Sequence, residues 1–130
     1  MIRKNKPTAA ELEILDLLWE KQEATVRDIQ QAINKRRPDT SYTTVLKTMQ
    51  IMHEKGLVKR NEKGKAHIYK PARSQEQTQR NLVSDLLDKA FRGSALKLVQ
   101  HVLETKPTSP EELAEIRRLI AEAEERGTKK

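Results

Sequence analysis

The residues best suited to chemistry in this 130-residue chain lie close together, in Ser41-Tyr42-Thr43-Thr44-Val45-Leu46-Lys47 and the stretch that follows. Thr43, Lys47 and Gln50 recur at four and three residues, the spacing of one helix face, while Val45, Met49 and Met52 fall on the other. Threonine, lysine and glutamine donate or accept at base edges and phosphates, and a threonine methyl can touch a thymine methyl. The polar stripe, together with Thr44, therefore suits direct readout of a duplex and is expected to carry sequence discrimination. Taken alone it would read better as a solvated helix face. Ser41 can cap the helix and present its N-terminus to a phosphate, with Tyr42 and Thr44 near enough to add donors; capping alone is the minimal role. Arg60, Lys63 and Lys65, with Lys70 beyond them, suit phosphate contacts that weaken steeply with salt. Lys35-Arg36-Arg37 either clamps phosphate or keeps an exposed loop soluble.

Charge favours the nucleic-acid role for the stripe. Lys35 to Lys70 holds ten Lys/Arg against three Asp/Glu, a net of +7, and the remaining residues hold 16 of each sign, so the whole surplus is local. A basic block of this kind is the footprint of a module that lies on a polyanion.

Other chemistries find little support. His53, His67 and His101 fall in three different expected elements without a helical His pair, and the chain has no cysteine, so no metal ligand set, disulfide or thiolate site is expected. Glu11, Glu13, Glu111 and Glu112 stand at helix starts, where complementing the helix dipole explains them. No phosphate-binding glycine loop or nucleophile elbow occurs, so neither a catalytic residue nor a cofactor is expected. No apolar run reaches the length of a signal segment or a membrane span, which points to the cytoplasm and to no membrane partner. With 35% charged, 35% hydrophobic and 3% aromatic residues, the chain has little bulky material for a deep core of its own, and burial by a second copy is expected.

The elements that must carry the stripe follow from caps and periodicity. Thr8 and Glu11 have capping-box spacing ahead of Leu12, Ile14, Leu15, Leu18 and Trp19, which predicts a first helix with Trp19 in its buried stripe. Thr25 and Asp28 open a second, with Val26, Ile29 and Ile33, that runs toward Pro38. Ser41 opens a third, reaching about Lys55, and Gly56 suits its left-handed cap. Leu57–Arg60 and Ala66–Lys70 are short strand-like runs joined through Asn61-Glu62-Lys63-Gly64-Lys65 and closed by Pro71. Three helices and a hairpin make the winged form of the helix-turn-helix.

Beyond it, Ser74 and Gln77 open a helix with Leu82, Val83, Leu86, Leu87, Ala90 and Phe91 on one face, which Gly93 interrupts. Leu96, Leu98, Val99, Val102 and Leu103 continue as another. Ser109-Pro110-Glu111-Glu112 opens the last, with Leu113, Ile116, Leu119, Ile120 and Ala123. These helices are too one-sided to hide their apolar faces among themselves. Leu82, Leu86, Leu87, Phe91, Leu98, Val99, Val102, Leu113, Ile116, Leu119 and Ile120 are therefore expected to pair two chains. The fold class is mainly α with a small β-hairpin wing: a winged helix-turn-helix over residues 1–71, a helical dimerisation domain over 72–125 and a polar tail over 126–130.

Ser41-Tyr42-Thr43-Thr44-Val45, His53-Glu54-Lys55-Gly56-Leu57-Val58 and Ala66-His67-Ile68-Tyr69 resemble the BlaI/MecI penicillinase-repressor family of bacterial winged-helix regulators. The first helix, around Thr8, Glu11, Glu13, Ile14, Leu15, Leu18 and Trp19, is similar as well, and the resemblance spans nearly the full chain. It implies a dimeric repressor bound to an inverted-repeat operator in double-stranded DNA. Family members are inactivated by a regulatory protease at an Asn-Phe bond; this chain has no such bond, and the matching stretch reads Val99-Gln100-His101-Val102. Related copper-responsive repressors use cysteine pairs, which are absent here. Two other accounts share the basic block. A non-specific architectural binder would not distinguish an operator from a random duplex, and a protein-interaction winged helix would turn the same stripe to an acidic partner.

Overall fold

The computed structural model describes residues 6–64 and 66–128, without the side chains of Lys63 and Thr128. Three cap residues set the starts of the first three helices. Thr8 Oγ1 accepts from the Glu11 N–H at 3.2 Å, and Glu11 Oε1 accepts from the Thr8 N–H at 2.9 Å, opening α1 (Ala9–Lys21). Thr25 and Asp28 repeat the exchange at 3.1 Å in each direction and open α2 (Val26–Arg36). Ser41 Oγ accepts from the Thr44 N–H at 3.1 Å and opens α3 (Tyr42–Lys55), which Gly56 ends at φ +81°. A side chain would be strained at that angle, so glycine is the natural stop.

The three helices bury one apolar set: Ile14, Leu15, Leu17 and Leu18 from α1, Val26, Ile29 and Ile33 from α2, and Val45, Met49 and Met52 from α3. Leu18, Ile29, Met49 and Met52 are fully buried, and each such burial stabilises by about 1.5–3 kcal/mol. Trp19 is half-buried against this core, and its indole N–H donates to the Arg73 carbonyl at 3.0 Å.

The wing is longer than its sequence suggests. β1 (Val58–Lys63) pairs antiparallel with β2 (Ala66–Pro71), from Val58 opposite Pro71 to Lys63 opposite Ala66. Asn61 to Lys63, expected in the connecting loop, instead belong to the ladder, and Gly64 follows them at φ +64°. Inter-strand hydrogen bonds outweigh the poor strand propensity of these polar residues. Glu62 and His67 face one another across the ladder, 3.5 Å apart. The hairpin is fastened at its root. Ala24, between α1 and α2, exchanges two backbone hydrogen bonds with Tyr69, at 2.9 and 2.8 Å, and the Tyr69 side chain is only 1% exposed. Helices α1–α3 followed by this hairpin are the winged helix-turn-helix expected from the sequence.

Three more helices follow: α4 (Gln75–Ala90), α5 (Ala95–Thr105) and α6 (Pro110–Thr128). Ser74 Oγ accepts from the Gln77 N–H at 3.1 Å, and Gly93, at φ +81°, lies in the turn between α4 and α5. Helix α6 runs through residues 126–128, the start of the segment expected to be a polar tail. The chain divides into two compact units after Val83, within α4, whereas the sequence suggested a division after residue 71. The Trp19–Arg73 bond and a 3.0 Å bond from the Ala72 N–H to the Leu57 carbonyl hold the segment after the wing to the first unit.

No described residue of α4, α5 or α6 is buried. Of the residues expected to pair chains, Leu82, Leu87, Phe91, Leu98, Leu113 and Ile116 are half-buried, while Leu86, Val99, Val102, Leu119 and Ile120 are exposed. Among the described residues no helix is long and apolar enough to cross a membrane.

Candidate nucleic-acid interface

Helix α3 is held rigidly from behind and left open in front. Its inner side supplies Val45, Met49 and Met52 to the core, while Thr43, Lys47 and Gln50 are exposed with no hydrogen-bond partner among the described residues. The outward stripe expected from the sequence is therefore present and free. Ser41 and Thr44 are used differently: besides capping, the Ser41 hydroxyl donates to Thr44 Oγ1 at 2.8 Å. Thr44 is exposed but its hydroxyl already serves the cap, and its carbonyl accepts from Thr48 Oγ1 at 2.9 Å. Tyr42 is 41% exposed, and the Arg27 guanidinium lies 5.2 Å from its ring centroid.

The turn ahead of α3 is moulded by side chains that the sequence did not single out. Gln30 Nε2 donates to the Thr40 carbonyl at 2.9 Å, Asn34 Oδ1 accepts from the Thr40 N–H at 3.2 Å, and Thr40 Oγ1 donates to the Arg37 carbonyl at 2.7 Å. Asp39 takes φ +73° within it. These bonds fix the direction in which α3 leaves α2, and so where its stripe faces.

Several cations of the basic block work inside the molecule. Arg37 pairs with Glu13 of α1 at 2.7 Å and Arg36 with the same carboxylate at 3.5 Å. Beside the two roles expected of Lys35-Arg36-Arg37, these two arginines brace α2 against α1. The Arg37 hydrogen bond, assisted by the charges of both arginines, holds the Glu13 carboxyl below its usual range despite an opposing effect of burial. Lys55 is likewise engaged. Its Nζ lies 2.6 Å from Glu11 Oε1 and 3.0 Å from the Lys6 carbonyl, tying the end of α3 to the start of α1. Glu11 and Glu13 thus do more than complement a helix dipole, the role expected of them.

On the wing, Lys59, Arg60 and Lys70 are exposed, with Lys59 directly opposite Lys70. Lys63 ends β1, but its side chain lies outside the described residues, as does the whole of Lys65. Two further exposed side chains join the outward face of α3: Ile51, 48% exposed and four residues after Lys47, and Glu54. Their helical spacing from Lys47 was visible in the sequence. Arg27 was not, since it lies in α2, outside the basic block. Among the described residues no cluster of His, Asp and Glu has the grouping needed to hold a metal ion.

Comparison with known proteins agrees with this geometry. One relative is the transcriptional regulator BlaI of Mycobacterium tuberculosis, 33% identical over 113 residues that cover 85% of this chain and 80% of that protein. Another is the methicillin resistance regulatory protein MecI of Mammaliicoccus sciuri, 23% identical over 113 residues, covering 87% and 91%. A crystal structure described as a possible transcriptional regulator for arsenical resistance superposes with a TM-score of 0.53 at 20% identity. It covers 76% of this chain and 93% of that one, and speaks to the fold alone. The family model for the penicillinase repressor matches residues 7–122, from the cap of α1 into α6, and the chain belongs to that family.

Proposed function

We propose that this protein is a dimeric transcriptional repressor that binds an inverted-repeat operator in double-stranded DNA. The observation that carries the reading is the free outward stripe of Thr43, Lys47 and Gln50 on a helix anchored from behind and flanked by a basic wing. Two such helices would enter successive major grooves on the order of 34 Å apart. Thr43, Lys47 and Gln50 read base edges, while Ser41, Tyr42 and Thr44 meet the backbone beside the start of α3. Arg60, Lys63 and Lys65 add phosphate contacts from the wing.

What supports the dimer is the exposed apolar surface of α4–α6, with Val102 53%, Leu119 54% and Ile120 53% exposed in the single chain. The protein acts by binding and not as an enzyme, in keeping with relatives that are transcriptional regulators. Its place of action is the cytoplasm, where operator DNA is found. Proteolytic release at Val99–Val102 would require α5 to open locally, because that stretch lies inside the helix.

The test is binding to the promoter region of its own gene and to a scrambled duplex of equal length, across a salt series. A preference of about 4 kcal/mol or more, with two protected half-sites, is expected of a specific dimeric repressor. Equal, salt-sensitive binding to both would favour an architectural binder, and no binding to either a protein partner.

A further inference from the structure

An open cleft of about 370 Å³ lies between the starts of α2 and α3 and the wing, walled by Thr25, Arg27, Tyr42, Leu46, His67 and Tyr69. Of the residues assigned to DNA above, Tyr42 alone lines it. Arg27 is exposed and has no carboxylate partner among the described residues. Its guanidinium stands over the Tyr42 ring at 5.2 Å, an arrangement that steadies the plane and leaves the N–H fork available. Tyr69 is 1% exposed, and its hydroxyl has no hydrogen-bond partner among the described residues. Val26 and Leu46 add an apolar lining. The carboxylates nearby are committed: Asp28 caps α2, and Glu62 faces His67 at 3.5 Å.

A free guanidinium, phenol hydroxyls and an apolar lining match a phosphodiester with its sugar. The position matches as well. Tyr42 and Leu46 each lie about 100° around α3 from the neighbouring Thr43 and Lys47, beside the outward stripe, and strand β2 forms the opposite wall. With α3 in a major groove and the wing over the adjacent minor groove, the strand dividing the two grooves must pass between them.

We propose that this cleft seats a phosphodiester of that dividing strand, with Arg27 as the anchoring cation and Tyr42 as the ring that positions it. The proposal rests on the DNA-binding reading above.

The experiment compares the full-length protein with R27A, R27K and Y42L on the promoter and scrambled duplexes across a salt series. For R27A the slope of log K against log salt should shrink by about 0.9 for each protomer engaged, equally on both duplexes. R27K should keep the wild-type slope with weaker binding, and the smaller slope of R27A is a change that a mere loss of folded protein would not produce. Y42L should also keep the slope and lose affinity. A duplex with neutral methylphosphonate linkages introduced one at a time should contain a linkage that weakens the wild type but not R27A. If R27A retains the wild-type slope and the wild-type methylphosphonate profile, the seat is refuted while DNA binding stands. If the wild type binds no duplex, both readings fall together.

Discussion

The two units of this chain bury their apolar residues in opposite ways. Up to Val83, side chains from α1, α2, α3 and the wing hide one another, and Leu18, Ile29, Met49 and Met52 reach full burial. From Ser84 onward no described residue is buried, although α5 and α6 carry clear apolar stripes, and Leu96 is 76% exposed. The first unit has the contents of an independent fold. The second leaves its apolar stripes open in the single chain, and these are the surface that the proposed dimer would cover.

The sharpest way to break this comparison is to damage each core and ask whether stability then depends on protein concentration. Ile29→Ala removes a fully buried side chain of the first unit and should cost about 2–5 kcal/mol in urea unfolding. That loss should be the same at any concentration. Ile120→Asp should instead lower the association constant measured by analytical ultracentrifugation. It should also abolish the rise of the melting temperature with concentration that a folded dimer shows. A concentration-independent wild type would remove the contrast between the units.

Smaller effects sharpen the comparison within the first unit. Lys47→Ala should reduce the preference for operator over scrambled duplex by about 1–3 kcal/mol if the lysine reads a base. Equal weakening on both duplexes would reassign it to phosphate. Glu11→Gln strips the Lys55 ammonium of its charged partner and should destabilise by about 1–3 kcal/mol, measured by urea unfolding at neutral pH. The smallest effect belongs to Glu13. Its folded-state carboxyl titrates below its ordinary value because Arg37 and Arg36 favour the charged form. The pair therefore adds stability above the unfolded pKa and loses it as pH falls through the folded pKa. Both arginines are largely exposed, so about 0.5 kcal/mol is expected, and Glu13→Gln should flatten the wild-type decline on the acid side by that amount.

Local signals were legible where the physics is local. Thr8, Thr25 and Ser41 announce their helices because a cap and its partner are three residues apart. Gly56 announces a stop because only its φ fits there easily. The outward stripe of α3 followed from helical spacing alone. The braces were not legible: Glu13 meets Arg36 and Arg37 across 23 and 24 positions, and Glu11 meets Lys55 across 44. No short-range rule pairs residues so far apart. For that reason no intramolecular partner was expected for Arg36, Arg37 or Lys55, which brace α2 and the end of α3 against α1. The extension of the wing through Asn61–Lys63 was hidden for a related reason, since polar residues join a ladder when the partner strand supplies the hydrogen bonds. Arg27 escaped notice because its relation to Tyr42 exists only once α2 and α3 are packed.

The burial of Met49 and Met52 gives the protein a built-in chemical clock. The chain has no cysteine, and among the described residues the methionine sulfurs belong to Met49 and Met52, on the inner side of α3. Peroxide converts an accessible thioether to a sulfoxide but reaches these two only when the first unit opens. Their oxidation rate, followed by mass, thus measures how often that core comes apart, and tight DNA binding should slow it without any label on the protein.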